Sequence, residues 1–328
     1  MSFERYNANR STFGGKVMVI GGDFQQILPV VEHGQRIDIA EACVLKSPLR
    51  QLFSIHQLEI NMRARTAGSN WHDYLLRIGS GESNDEGGRT AIPDEMMCTT
   101  DIVTEIFGDV LDPSTIANLC ESAVLALKNV HVQRLNQDAL QRLIVDPAHD
   151  ERIYKSVDEA IYPEGQSRQQ YQLEYLNSLT PTGMPPHELH LEKGAIIMLL
   201  RNLDVANGLC SGTRLKVETF GHFTLRCRFN CGERNNQLAI IPRIDNCWGQ
   251  RIPLRLCRHQ FPMRIAFAMT TNKPQGQSFN KVGVFLPGDF FSHGQLYVAL
   301  SRARRPDGIK VKACSNNLKN IVFREVLQ

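Results

Sequence analysis

Residues 267–278 read Phe-Ala-Met-Thr-Thr-Asn-Lys-Pro-Gln-Gly-Gln-Ser, and an apolar run follows from Val282 to Leu286. Residues 294–305 then read Gly-Gln-Leu-Tyr-Val-Ala-Leu-Ser-Arg-Ala-Arg-Arg. The pattern predicts a strand, a polar turn, a second strand and a helix that ends in exposed arginines. This order of elements is typical of an α/β domain.

A second stretch, near the N-terminus, also combines an apolar run with a polar turn. Lys16 to Ile20 is a short apolar run that predicts a strand, and Gly21-Gly-Asp-Phe-Gln-Gln26 follows it as a glycine turn with polar side chains. Because parallel strands deliver polar residues to the crevice at their carboxyl ends, we expect this turn to contribute to a site.

The middle of the chain differs from both ends. Between Leu191 and Gln260 short β-runs alternate with turn residues, which predicts a small all-β unit inserted in an α/β domain. Residues 201–264 carry eleven Lys and Arg against four Asp and Glu, whereas the whole chain has a net charge of +3. A basic segment of this kind favours a surface that faces a polyanion; a solvated outer β-face is the alternative.

The bulk composition excludes several classes of protein. With 328 residues and 42% hydrophobic content, the chain is long enough for about two domains with their own cores. No run approaches 18 apolar residues, so no membrane partner is expected. The nine scattered cysteines favour reduced thiols over a disulfide framework, and the spacing of Cys227, Cys231, Cys247, Cys257 and His259 matches no common zinc pattern.

Four blocks follow one another along the chain: Gly22-Asp-Phe-Gln-Gln-Ile-Leu-Pro-Val30, Leu58-Glu-Ile-Asn-Met-Arg63, Thr270-Thr-Asn-Lys-Pro-Gln-Gly-Gln-Ser278 and Tyr297-Val-Ala-Leu-Ser-Arg-Ala303. In this order they resemble motifs III, IV, V and VI of the PIF-type DNA helicases, in the B branch of superfamily 1. The resemblance covers about Phe13 to Val311, and it is strongest to the helicase region of Helitron transposons.

The resemblance implies a nucleotide site and a DNA path. Gln26 would read the γ-phosphate, while Arg63 and Arg302 would act as arginine fingers that neutralise charge during phosphoryl transfer. The remaining nucleotide-binding residues would be Asp23, Gln275 and Gly276, and those on the DNA backbone would be Thr270, Asn272 and Lys273. The chain presents no metal ligand that we can assign.

The same resemblance implies the domain organisation. We expect an α/β fold, with part of a first RecA-like domain and a complete second RecA-like domain that carries an inserted small β-barrel along single-stranded DNA. The predicted segments are residues 1–55 (first RecA-like domain), 56–190 and 262–328 (second RecA-like domain) and 191–261 (β-barrel).

One feature of the family is missing from these residues. The sequence contains no phosphate-binding G-x-x-x-x-G-K-[ST] loop and no Asp-Glu magnesium motif, and Gly14-Gly-Lys-Val17 lacks the required hydroxyl. ATP and magnesium are therefore expected as cofactors of the parent enzyme, and this chain alone is expected to lack ATPase activity.

The leading hypothesis is an ATP-dependent DNA helicase, 5′ to 3′ by resemblance, that serves repair, recombination or transposition. Its partners would be single-stranded DNA and DNA junctions, and it would act as a monomer in the nucleus, with the mitochondrion as the alternative. The competing hypotheses are an ATPase-dead module that binds single-stranded DNA and a transposon remnant without function.

Overall fold

The computed structural model describes residues 12–58, 69–112, 119–144, 146, 150–161, 171–229, 232–249 and 255–327. The chain divides into two compact units. The first unit contains the described residues of 1–93, 289–301 and 315–328, and the second unit contains those of 94–288 and 302–314.

The regular elements are six helices and sixteen strands within the described residues. The helices are α1 (Arg36–Glu41), α2 (Ser69–Ser80), α3 (Ile102–Phe107), α4 (Asn129–Leu140), α5 (Leu173–Ser178) and α6 (Gln295–Leu300). The strands are β1 (Arg89–Ala91), β2 (Ser122–Ala126), β3 (Glu151–Lys155), β4 (Val157–Ile161), β5 (Glu188–Glu192), β6 (Ile196–Leu199), β7 (Arg214–Phe220), β8 (Thr224–Arg228), β9 (Leu238–Pro242), β10 (Ile244–Trp248), β11 (Arg255–Gln260), β12 (Met263–Ile265), β13 (Ala268–Thr270), β14 (Lys281–Leu286), β15 (Ile309–Ala313) and β16 (Asn317–Lys319).

A parallel sheet forms one half of the second unit. Its strand order is β13-β2-β14-β15, and every neighbouring pair is parallel. Helices α3 and α4 pack on it, which explains why β2 is almost continuously apolar and buried. Gly283 of β14 allows α3 to approach closely, since a Cβ there would lie 2.8 Å from Ile106 Cγ1.

The free edge of this sheet is closed by a side chain. Asn136 of α4 donates from Nδ2 to the Ala268 carbonyl at 3.0 Å and accepts from the Ala268 N–H at 2.8 Å. Its amide therefore forms the two hydrogen bonds that a neighbouring strand would otherwise form with β13, which fixes the strand that leads into residues 270–278.

The rest of the second unit is antiparallel. A five-stranded sheet has the order β12-β6-β7-β8-β9, a three-stranded sheet has the order β10-β11-β4, and β3 pairs with β5. Alternation of buried and exposed residues along β8 and β9 places one face of the larger sheet on a core that includes Leu215, Val217 and Phe261. We call residues 150–265 the antiparallel region.

The first unit is mostly helical. Helix α2 packs against α6, and β1 pairs antiparallel with β16. A small core of Leu28, Ala40, Cys43 and Val326 holds the N-terminal and C-terminal segments together. Within the described chain, every helix is too short or too polar to cross a lipid bilayer.

Several sequence expectations are corrected here. Lys16 to Ile20 was predicted as a strand, but it pairs with no described strand, and Val17 and Val19 are 91% and 89% exposed. The boundary predicted at residue 191 falls inside the antiparallel region, because β3 and β4 already pair with β5 and β11. The other predicted domain boundaries stay predictions.

The expectation of reduced thiols is wrong for one pair of cysteines. Cys247 and Cys257 lie directly opposite each other on β10 and β11 and form a disulfide. Chain spacing could not reveal this, since the pairing depends on the register between two strands.

Candidate functional site

The Asp23 carboxylate organises the turn of motif III. Its Oδ1 accepts a hydrogen bond from the Gln25 backbone N–H at 3.0 Å, and its Oδ2 accepts one from Gln26 Nε2 at 3.0 Å. The Tyr297 hydroxyl donates to the same Oδ2 at 3.1 Å. The structure thus brings together Asp23 and Gln26, two predicted nucleotide residues, and Asp23 orients the Gln26 amide.

His293 fastens this turn to the segment before α6. The Phe323 backbone N–H donates to His293 Nδ1 at 2.8 Å, so Nδ1 is an acceptor and Nε2 carries the proton. Nε2 then donates to the Phe24 carbonyl at 2.8 Å. Because the ring is only 1% exposed, burial lowers the pKa of His293 and favours the neutral form that these two bonds require.

Gly294 completes the contact beside His293. It has φ of +70°, and a Cβ on it would lie 2.4 Å from the Gln25 carbonyl oxygen. Backbone therefore meets backbone at this position, and only glycine fits. The sequence analysis gave no role to His293 or Gly294, although they lie four and three residues before motif VI.

Motif V forms a turn at the carboxyl end of β13. The Lys273 N–H donates to the Thr270 carbonyl at 2.9 Å, and Gly276 has φ of +86° with open space around it. Asn272, Lys273 and Gln275 are exposed, and Thr270 is partly exposed. The structure therefore places all of the predicted DNA-binding residues on one turn, at the edge of the sheet where ligands of α/β proteins bind.

The second predicted arginine finger has a structural role in this conformation. Arg302 is fully buried, and its Nη1 donates to the Pro274 carbonyl at 3.2 Å and to the Gln277 carbonyl at 3.1 Å. Its guanidinium thus supports the motif V turn. Contact with a phosphate would require this turn to release it, and its role as a finger stays a prediction.

The turn is also tied to the antiparallel region. Gln277 Nε2 donates to the Gly212 carbonyl at 2.9 Å, so Gln277 bonds to Arg302 through its backbone and to the loop before β7 through its side chain. The first predicted finger, Arg63, lies outside the described residues.

Part of the positive charge in residues 201–264 is used inside the protein. Buried Arg214 donates to the carbonyls of Cys120, Ser122 and Ala266 at 2.7–2.9 Å. Arg258 is fully buried against Asp158, and Arg228 pairs with Glu218. The net charge of this segment therefore overstates how much of it faces solvent or a ligand.

Arg264 differs from these arginines because no N–H of its guanidinium donates a hydrogen bond within the described chain. Its Nε is buried without a partner, as is that of Arg214, but Arg214 donates through both of its Nη atoms. Burial lowers the pKa of Arg264, and burial together with the nearby Arg264 charge lowers the pKa of Lys273 in motif V. Two cations thus lie close together, beside the predicted DNA-binding residues.

Within the described residues, no three His, Cys, Asp or Glu side chains lie close enough to hold a metal ion. Cys247 and Cys257, two of the clustered cysteines, bond to each other.

Two family models match the chain. Residues 4–89 match the PIF1-like helicase family, and residues 174–220 match the 2B domain of the DNA helicase Pif1. The ATP-dependent DNA helicase PIF1 of Xenopus laevis is 26% identical over 302 residues, which cover 91% of this chain and 41% of the frog protein. The chain thus spans about two fifths of the length of this curated relative.

Solved structures share the fold. The Pif1 helicase of Candida albicans superposes with a TM-score of 0.64 at 22% identity, over 99% of this chain and 70% of that one. The Bacteroides Pif1 helicase in complex with ADP-AlF3 and single-stranded DNA gives a TM-score of 0.62 at 19% identity, over 96% and 66% of the two chains.

These matches are to PIF1-like helicases, the family that the sequence motifs predicted. The predicted α/β fold class with a RecA-like parallel sheet is confirmed. The description of the inserted segment as a closed β-barrel stays a prediction.

Proposed function

We propose that this chain is part of an ATP-dependent DNA helicase that moves along single-stranded DNA and unwinds duplexes, with 5′ to 3′ polarity. The observation that carries this proposal is the motif V turn. Within a chain of this family, it presents Asn272 and Lys273 at the carboxyl edge of a parallel sheet, where a DNA backbone can pass.

The residues of this chain do not suffice for ATP and magnesium. The sequence lacks the phosphate-binding loop, and the described residues contain no cluster that fits a metal ion. The loop's backbone N–H groups and lysine hold the β- and γ-phosphates in P-loop enzymes. We therefore propose that the 328 residues alone lack ATPase activity, and that Gln26, Arg63 and Arg302 serve a triphosphate whose β- and γ-phosphates are held by other groups.

DNA binding is the part of this function that the chain can show by itself. The test is fluorescence anisotropy with a labelled oligothymidylate of roughly 16 nucleotides, a length that one compact binding fold can occupy. We expect binding that weakens steeply between about 50 and 200 mM salt, because phosphate contacts release counterions. Absence of binding at the lowest salt would refute the proposal.

A matched pair of lysine variants locates the contact. Lys273→Ala should weaken binding and lower the salt dependence, whereas Lys281→Ala should not, because Lys281 is an exposed lysine at the opposite, amino end of β14. Equal effects of the two variants would show that DNA binds through general surface charge rather than through motif V.

The alternative function is a binding module without turnover. It is favoured by one observation: all of the predicted DNA-backbone residues lie within this chain, whereas the phosphate loop does not. DNA affinity that is unchanged by ATP, in a cellular product that carries no phosphate loop, would support the module over the helicase.

The cellular setting is also a proposal. A helicase of this kind would act in the nucleus, with the mitochondrion as the alternative, on single-stranded DNA and junctions in repair, recombination or transposition. We propose that it is monomeric without DNA, which light scattering of the purified chain would test.

A further inference from the structure

Arg264 lies six residues before Thr270, the first residue of motif V, on the strand that precedes β13. It belongs to β12, the edge strand of the five-stranded sheet, and is paired in register with Met198 of β6. Met263 and Ile265 on either side of it pack into the core of the antiparallel region. Because side chains alternate along a strand, Arg264 points to the other face, which it shares with Met198.

The guanidinium of Arg264 has no partner among the described residues. Its buried Nε makes no hydrogen bond, and neither Arg264 nor the Lys273 ammonium forms an ion pair with any residue of the described chain. Arg214 and Arg258 show the usual solution in this region, since each donates to several carbonyls or to a carboxylate. A desolvated arginine without such partners is costly unless something else supplies the acceptor.

The neighbour of Arg264 increases this cost. Lys273 carries a like charge close enough for Arg264 to lower its pKa, and both groups are partly desolvated. Two cations in one place repel each other, so the arrangement does not stabilise the fold. It does create a local field that attracts an anion.

We propose that Arg264 and Lys273 together bind one phosphodiester group of single-stranded DNA. Arg264 supplies a planar fork that reaches two non-bridging oxygens, and Lys273 supplies a point charge. The inference rests on the proposed function and deepens it, because it adds to the motif V turn a residue from a different sheet. The strand would thus touch the parallel sheet and the antiparallel region at a single phosphate.

The experiment measures oligothymidylate affinity over a salt series for wild type, Arg264→Gln and Arg264→Lys. Removal of one charge-assisted contact should weaken binding by roughly tenfold. The slope of log affinity against log salt should fall in magnitude by about 0.7, the value for one phosphate contact on a single strand. Arg264→Lys should restore the slope but only part of the affinity, because it keeps the charge and loses the fork.

Arg134→Gln is the matched control. Arg134 is an exposed arginine of α4 whose only described ion pair is a loose one with Asp138 at 3.8 Å. The substitution removes one positive charge, as Arg264→Gln does, and we expect wild-type affinity and salt slope. Circular dichroism and thermal melting of each variant verify that it is folded.

A second readout is the pKa of Lys273, and its first comparison needs no DNA. The pKa of Lys273, followed by NMR of its side chain, should rise in Arg264→Gln because the repelling charge is gone. It should also rise in the wild type when oligothymidylate is added, and pyrophosphate at equal phosphate concentration should have a smaller effect.

The outcomes separate the two proposals. If wild-type chain binds no oligothymidylate, the proposed function itself fails. If wild type binds but Arg264→Gln and Arg134→Gln behave alike, the DNA function stands and the Arg264 site is overturned. A response of Lys273 to pyrophosphate that exceeds the response to DNA would also overturn it, in favour of a site for free phosphates.

Discussion

Two regions of the second unit each contain a desolvated arginine, but only one of them supplies hydrogen-bond partners for its charge. Around Arg258 the charge is fully satisfied: Nε and Nη2 donate to Asp158 at 2.8 and 2.5 Å, and other N–H groups donate to the carbonyls of Pro185 and Leu176. Around Arg264 no described residue accepts, and its charge lowers the pKa of Lys273.

The difference shows how to tell a structural arginine from a ligand-binding one. Composition does not distinguish Arg258 from Arg264, since both belong to the basic segment 201–264. A buried charge with a complete set of partners joins the elements around it, whereas one without partners costs free energy that only a ligand offsets.

Removal of Arg258 should have the largest effect on stability. Arg258→Met leaves the Asp158 carboxylate buried without its partner, which costs about 3–5 kcal/mol in buried pairs of this kind. Denaturant unfolding measures this cost as a lower free energy of unfolding. The double variant Arg258→Met with Asp158→Leu should recover much of the loss, and an equally unstable double variant would show that Arg258 acts chiefly through its carbonyl contacts.

His293 is the counterpart of Arg258 in the first unit, because both of its nitrogens are used. His293→Phe leaves the Phe24 carbonyl and the Phe323 N–H without their bonds, and should lower the free energy of unfolding by about 2 kcal/mol. Thermal or denaturant unfolding at pH 8 gives this number without any contribution from protonation.

The pH dependence provides the control for His293. Its pKa is lowered in the folded protein, so below the ordinary value of 6.5 the unfolded chain binds a proton that the folded chain does not. The stabilisation is therefore present above pH 6.5 and is lost as the pH falls below it. His293→Gln should remove this acid-side decline, and an unchanged decline would assign it to another group.

Glu192 is a milder case of a charge without a partner. It lies opposite Glu151 on β3, and its buried Oε2 has no hydrogen bond within the described residues. Burial, and then the charge of Glu151, raise the pKa of Glu192 from 4.5 to about 7. Between these values the folded chain holds a proton that the unfolded chain has released, so stability falls as the pH rises through this window.

Glu192→Gln should remove that decline. Because the side chain is partly exposed and screened by solvent, we expect an effect of about 1 kcal/mol between pH 5 and pH 8. The measurement is the melting temperature of wild type and variant across this range. Parallel curves would show that Glu192 does not carry the raised pKa.

Arg264→Met should have the smallest effect on stability, which sharpens the comparison. The methionine keeps the apolar stem beside Met198 and removes a charge that has no partner, so the free energy of unfolding should change by less than about 0.5 kcal/mol or increase. Denaturant unfolding of Arg264→Met and Arg258→Met under the same conditions tests this. A loss as large as that of Arg258→Met would mean that Arg264 is structural.

The sequence predicted those features that depend on local pattern. The runs that form β6, β7, β8 and β9 alternate apolar and polar residues, and the motif V turn lies where a polar turn follows an apolar strand. Such signals are local because strand and turn geometry act on neighbouring residues.

What the sequence could not predict depends on contacts between distant residues. The burial of Arg302 requires the carbonyls of Pro274 and Gln277, and the Cys247–Cys257 bond requires one strand register. Lys16 to Ile20 shows the reverse error: its apolar pattern predicts a strand, but no described strand lies beside it to complete the hydrogen bonds.

The side-chain bonds of Asn136 to β13 have a consequence for solubility. An exposed sheet edge is a template on which other chains can add strands and aggregate. By occupying both hydrogen-bonding groups of Ala268, Asn136 withholds that template at the strand that precedes the motif V turn. One amide therefore protects the protein from self-association at the same edge strand that carries its candidate DNA contacts.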